Sequence, residues 1–283
     1  MSGFSADWLA LREPADHAAR NGDVLADVAR HVAGRDHLSI IDLGCGAGSN
    51  LRGFALSLPA RRQSWTLIDY DAALLKAARE RLIAWADETE ELGEELLIEK
   101  SGKTLTIDFR QADLNADMER IAGWRPDLVT AAALFDLVSP AWIDRFAAAL
   151  ARWKLPLYTV LVYDGREQWT PPHPLDAAIH DAFLAHQRRD KGFGPSAGPD
   201  AARLMEAAFS KQNYRVASGE SPWRLGVEDA ALIAQLAGGV ASAAAETGLP
   251  AADVEQWRAF RETAARAPGA SARVGHRDLF TAP

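Results

Sequence analysis

The chain has a single cysteine, Cys45, and so can form no disulfide within itself. A reducing compartment is the expected setting. No apolar run approaches the roughly 20 residues of a membrane-spanning helix, so no membrane partner is expected. Positive charge is in deficit: 31 Lys and Arg stand against 39 Asp and Glu, a formal net charge of −8. A surface for nucleic-acid phosphates needs a basic patch or stripe, which argues against a DNA partner and makes RNA a weak option. The seven histidines show no H-E-x-x-H spacing, and one cysteine cannot build a zinc site, so no metal is expected. The first residues, Met1 to Asp7, lack the charged and apolar regions of a secretory signal. These absences fit a cytoplasmic protein. The rest is ordinary for a globular chain: 283 residues, 48% hydrophobic and 25% charged, with enough length for a sizeable core.

The most informative stretch is Ile40-Ile41-Asp42-Leu43-Gly44-Cys45-Gly46-Ala47-Gly48-Ser49-Asn50. Two β-branched residues lead to an acid, glycines then alternate, and Leu51, Phe54 and Leu58 follow at helix-compatible spacing. This predicts a buried strand, a tight turn and a helix start. Alternate glycines allow positive φ and let a ligand lie against the backbone. Asp42 falls at the carboxyl end of the strand, where open α/β sheets bind ligands. The dinucleotide fingerprint G-x-G-x-x-G has a third glycine where this chain has Ser49, which speaks against an NAD-dependent oxidoreductase.

The pattern Asp42-x-Gly44-x-Gly46-x-Gly48 resembles the first motif of class I S-adenosylmethionine (SAM)-dependent methyltransferases. Two further segments fall in register with it. Trp65 to Asp71 predicts a second strand ending in acids, and Asp69 lies about twenty residues beyond the turn, where an acid meets a ribose. Asp71 suits the N-cap of a helix over Ala72–Trp85. The hairpin of Leu96–Lys100 and Thr104–Phe109 leads into Asp113-Leu114, which resembles the third-strand end in these enzymes. The resemblance covers residues 40–138, the cofactor half. It implies that Gly44, Cys45, Gly46 and Gly48 line the methionine part of the cofactor, with Asp42 ordering the turn. It further implies that Asp69 binds the ribose, Tyr70 flanks the adenine, and Asp113 and Leu114 hold the adenine. The implied cofactor is SAM, with S-adenosylhomocysteine (SAH) as product.

Alternating strands and helices predict an α/β fold, a Rossmann-like doubly wound sheet of about seven strands with the last antiparallel. The expected organisation is one methyltransferase domain: a helical cover or lid over 1–35, a SAM-binding core over 36–165, and substrate-side helices and last strands over 166–283. Within the cover, Pro14 is placed at the opening of a second helix. The charge run from Asp87 to Glu95 is expected as a solvated helix end and loop. Trp169 to Pro174 is expected as a proline-stiffened loop after a fifth strand over Pro156–Gly165. Two helices, Gly226–Thr247 and Pro250–Ala267, would interrupt the last two strands.

Methyl transfer is an in-line displacement, in which the protein supplies alignment, desolvation and proton removal. Candidate catalytic residues are Asp136 and Tyr163, after the fourth and fifth strands, and His276 on the last strand. Candidate substrate contacts are Trp8, Asp164, His186 and Arg189. For each, a plain structural role competes: a helix cap for Asp136, a solvated helix end for His186 and Arg189, a core or surface position for His276. The Asn/Asp-Pro-Pro-aromatic signature of amino-methylating enzymes is absent after the fourth strand. The expected activity is SAM-dependent methylation of an oxygen or nitrogen on a small-molecule acceptor, by a monomer or homodimer. The rival from another class is a methyltransferase-like scaffold that binds SAM or SAH without turnover.

Overall fold

The computed structural model describes residues 5–283. Helices α1 (Ala6–Ala19) and α2 (Gly22–His31) precede β1 (His37–Leu43), α3 (Ser49–Phe54), β2 (Arg62–Asp69) and α4 (Ala72–Trp85). Strands β3 (Glu88–Leu92), β4 (Glu95–Lys100) and β5 (Lys103–Gln111) lead to α5 (Leu114–Ala122), β6 (Leu128–Ala132), α6 (Pro140–Trp153) and β7 (Leu157–Thr170). The chain closes with α7 (Asp176–Gln187), α8 (Ala201–Lys211), β8 (Arg215–Glu220), β9 (Trp223–Leu225), α9 (Ala230–Ala245), α10 (Ala251–Ala264) and β10 (Ser271–Ala282).

The sheet has ten strands, in the order β3-β4-β5-β2-β1-β6-β7-β10-β8, with β9 beside β10. Its central run, β5-β2-β1-β6-β7, is parallel. β10 enters antiparallel between β7 and β8. The seven expected strands are therefore present with the last one reversed, and β3, β4 and β9 are additions. Side chains of successive β1 residues go to opposite faces. Leu38 and Ile40 pack with α2, α3 and α4 residues in one core, while Ile41 and Leu43 pack with α5, α6 and α8 residues in the other. A third cluster joins α7, α9 and α10 around Trp257. The topology leaves the carboxyl ends of β1, β2, β6 and β7 at one rim.

Three expectations change. Pro14 lies inside α1 and opens no helix; α2 starts beyond it, where the Asn21 side chain accepts from the Asp23 and Val24 amides (3.1 Å each). The lost backbone bond at Pro14 is offset by side-chain anchors on either side of it, described below. The acidic run after α4 is no loop: Glu88–Leu92 folds back on β4 through Gly93, at φ +67°, and all five side chains are exposed. The fifth strand continues to Thr170, because Ser271–Val274 of β10 pairs with Glu167–Thr170. The predicted glycine hairpin is present, with Lys100 opposite Lys103 and Ser101 and Gly102 both at positive φ, as a two-residue turn of this hand requires.

Candidate active site

At the end of β1 the chain turns through Gly44, Gly46 and Gly48 at φ +62°, +53° and +76°, a region costly for other residues. The Cys45 amide donates to the Ile68 carbonyl (2.9 Å), tying the turn to β2. Asp69 completes the link: one carboxylate oxygen accepts from the Gly46 amide (2.8 Å) and the other from the Asp71 amide (2.9 Å). Burial raises its pKa, and these backbone bonds counter the rise. Asp71 caps α4, accepting from the Ala73 amide at 2.8 Å. The Cys45 thiol is buried and free, and burial raises its pKa further.

Asp42 is fully enclosed. Its Oδ1 accepts from Asn50 Nδ2 (2.8 Å), which also donates to Thr130 (3.1 Å); its Oδ2 has no partner. Arg20 in turn donates to Asn50 Oδ1 at 2.7 Å. Burial pushes the Asp42 carboxyl up to about 7, and the Asn50 bond and the Arg20 charge oppose it. The end of α1 is thus wired through Arg20 and Asn50 to the strand that carries the glycine turn.

α1 lies directly over this turn. A Cβ added to Gly46 would meet Leu9 Cδ1 at 3.0 Å. Arg52 of α3 forks onto Glu13 (2.7 and 2.6 Å), and His17 contacts the Ser49 carbonyl at 2.9 Å. Burial pushes Glu13 up, but the Arg52 hydrogen bond and nearby positive charges prevail and hold it below its usual value. Arg81 donates to the Ala6 carbonyl at 3.0 Å. Trp8 is half-buried against the main core.

Beyond the ends of β6 and β7 lies a second polar group. Asp136, in a short helical turn after β6, is buried, and its Oδ1 has no partner. Burial pushes its carboxyl up to about 6, against its own backbone amide, the charge of Arg12 and the Tyr163 amide. His276 on β10 stands opposite Tyr163 on β7, with ring centres 6.2 Å apart. Its Nδ1 is unpartnered, and burial, aided by Arg12, pushes its pKa down to about 3. The Tyr163 hydroxyl donates to Glu167 Oε1 at 2.9 Å, and His180 lies 3.8 Å from Glu167. Burial and Glu167 both raise the Tyr163 pKa, while Glu167 raises that of His180. From α1, Arg12 reaches in with a forked bond to Asp16 (2.9–3.2 Å) and lies 5.0 Å over the Trp223 ring. Trp223 donates to Asp16 at 3.0 Å.

No protein-family model matches the chain, and no curated protein matches it in sequence. Solved structures do match in shape. A cyclopropane-fatty-acyl-phospholipid synthase-like protein from Lactobacillus casei aligns over 99% of this chain and 94% of its own, with 17% identity and a TM-score of 0.52. The cyclopropane synthase MmaA2 from Mycobacterium tuberculosis aligns over 98% and 94%, with 13% identity and a TM-score of 0.51. The fold is that of the class I SAM-dependent methyltransferases. At this identity the likeness concerns the fold alone.

Within this methyltransferase fold, the structure brings Asp136, Tyr163 and His276 together, and places Asp42, Gly44, Cys45, Gly46, Gly48 and Asp69 around one turn. Tyr70 is 57% exposed at the rim beside Asp69. Asp113 caps α5, accepting from the Asn115 amide at 2.9 Å, and Leu114 is buried below it. Asp164 faces away from Tyr163, bonded to Arg166 and against Gly275. His186 and Arg189 are drawn instead to Glu246, at 3.2 and 3.0 Å. Arg12 and Glu167 join the site without having been singled out in the sequence; the Arg12-x-x-x-Asp16 spacing is the one local signal for either. Two open grooves of about 370 and 260 Å³ lie on the outer face of β7 and β10, around Gln168 and Arg273, away from the glycine turn. Among the described residues no cluster of potential metal ligands occurs, and no helix is long and apolar enough to cross a membrane.

Proposed function

We propose that the chain is a SAM-dependent methyltransferase acting on an oxygen or nitrogen of a small-molecule acceptor. The observation that carries this reading is the bond between Asp69 and the Gly46 amide. It locks the acid at the end of β2 onto the glycine turn at the end of β1, so one rim offers both a bare backbone and a carboxylate. The residues fit the cofactor. Each Asp69 oxygen uses one backbone donor, and a carboxylate oxygen has lone pairs for more, as two ribose hydroxyls require. The turn presents no side chain at Gly44 or Gly46, and the orphaned Asp42 Oδ2 lies just beneath it. Bound SAM would supply a methyl group already activated by the sulfonium charge.

The chain's own part is alignment, exclusion of water and proton handling. α1 roofs the rim, and Asp136, Tyr163 and His276 form the wall next to it. Of these, the Asp136 carboxylate is the group able to take a proton from the acceptor, since burial and Arg12 disfavour a charged His276.

Calorimetric titration with SAM, SAH and NAD, repeated with Asp69→Ala, tests the reading. SAM and SAH are expected to bind, and the variant to lose binding while keeping its circular-dichroism spectrum. Binding of NAD alone, or of none of the three, overturns it.

A further inference from the structure

The outer face of β7, β10 and β9 carries polar side chains in two rows. On β9, Arg224 is exposed between buried Trp223 and Leu225; on β10, Arg273 is half-exposed between buried Ala272 and Val274. Strand pairing sets Gln168, Arg273 and Arg224 side by side across the three strands. Two residues further along, Thr170 pairs with Ser271. These side chains line the groove of about 370 Å³, together with Gly226 and Glu228 just beyond β9. Gly226 adds no side chain to it, and a Cβ there would meet the Glu228 carboxylate at 2.6 Å.

The charges in this groove are poorly matched. Arginines directly opposite each other on paired strands repel. Arg273 lies 3.6 Å from Glu220, too far for a hydrogen bond, and the other Glu220 oxygen is held by Arg166 at 2.8 Å. Among the described residues Arg224 and Glu228 have no ion pair, and the side chains of Gln168, Thr170 and Ser271 have no hydrogen-bond partner. In a chain of net charge −8, the two guanidiniums form a local positive spot beside unused hydroxyls.

Such a lining selects its ligand by charge and by hydrogen bonding. A guanidinium presents its donors as a fork that matches carboxylate or phosphate oxygens. Two of them match close to two negative charges, which a phosphate monoester carries near neutral pH and a carboxylate does not. Glu228 repels a second anionic group and accepts from hydroxyls. A bare phosphate would leave Glu228, Thr170 and Ser271 unmatched.

We propose that this groove binds the phosphate monoester of a small polyhydroxy compound. The phosphate sits between Arg224 and Arg273, and the hydroxyls lie toward Thr170, Ser271 and Glu228. The groove shares no residue with the glycine turn, so the site stands apart from the methyltransferase reading.

The test is calorimetric titration with glucose 6-phosphate, glycerol 3-phosphate, inorganic phosphate and glucose in phosphate-free buffer. Each probe is taken to about 10 mM, so that a Kd of about 1 mM is still detected. The two esters are expected to bind, inorganic phosphate more weakly, and glucose not at all. Arg224→Gln and Arg273→Gln are each expected to weaken the esters roughly tenfold or more while keeping the circular-dichroism spectrum. Without ligand, Arg224→Gln is expected to unfold at a urea midpoint no lower than the wild type's, because it removes a like-charge contact. Silence of both esters, glucose binding as well as its phosphate, or inorganic phosphate binding as tightly as the esters overturns the proposal. So do ester affinities unchanged in both variants, which place the anion elsewhere, and a lowered midpoint, which makes the arginine pair part of the fold's support.

Discussion

Asp42 and Asp136 are carboxyls enclosed with one oxygen unmatched, and their ionisation therefore works against the fold. Burial raises the first from 3.8 to about 7 and the second to about 6. For a raised acid the folded state holds the proton more tightly than the unfolded one. Its stabilising contribution is complete below pH 4 and is lost as pH rises through the folded value. Arg20, Asn50, Thr130 and Asp69 face Asp42; Arg12 and Tyr163 lie beside Asp136. For Asp42 the rise amounts to on the order of 4 kcal/mol. Asn in its place keeps the oxygen that Asn50 needs and cannot ionise. Asp42→Asn is expected to gain stability over the wild type steadily from pH 4 to pH 7, read as the difference in urea midpoints. A difference that stays flat across this window would show that Asp42 does not titrate there. At the other carboxyl the same comparison with Asp136→Asn is expected to show a gain that levels off once pH passes about 6.

Among the elements, α1 sets access. Leu9 covers the face of Gly46, and Arg52, His17, Arg81 and Arg20 fasten the helix on all sides. A ligand reaching the glycine backbone has to move Leu9, which a mobile α1 would allow and a fixed cover would not. Glu13→Gln keeps the shape of the Arg52 contact but removes its charge, weakening the dock by about 1–2 kcal/mol. Faster amide exchange over Ala6–Ala19 and faster SAH association are expected together; faster exchange with an unchanged association rate would make α1 a fixed cover. At the other end of β7, Arg261 is 2% exposed, paired with Asp176, and set over Trp169, Trp257 and Phe260. It bolts α10 to α7 and to the Pro171 carbonyl (2.6 Å). Arg261→Ala strands Asp176 and opens the aromatic stack, and a loss of about 3–5 kcal/mol is expected, read by chemical unfolding. These elements also mark what sequence could reveal. The glycine turn, the Asp71 cap and the β4–β5 hairpin are decided by residues a few positions apart and were legible. The extension of β7 was not, because Arg166–Thr170 reads as polar loop until Ser271–Val274, about a hundred residues later, lies beside it. Arg12 was hidden for the same reason: its aromatic partner, Trp223, arrives from a distant strand.

At the scale of the molecule, the sheet ends in two edges that are managed differently. β8 is flanked by α2 and α8, and Arg215 pairs with Asp27 of α2 across that edge at 3.4 Å. β3 has no such cover; it presents Glu88, Glu90 and Glu91 along an open strand in which all side chains are exposed. An unpaired edge invites another strand, and like charge along it repels one. The acid run after α4, which looks like loop in sequence, therefore suits an edge that must stay unpaired. Replacing Glu88, Glu90 and Glu91 together with Thr keeps strand propensity and removes the repulsion. That variant is expected to associate through β3 as protein concentration rises, seen as a growing sedimentation coefficient, while the wild-type coefficient changes less. Because five strands lie between β3 and β7 in the sheet, its SAH affinity should match the wild type. Equal sedimentation of the two would mean that twist or solvent, not charge, protects the edge.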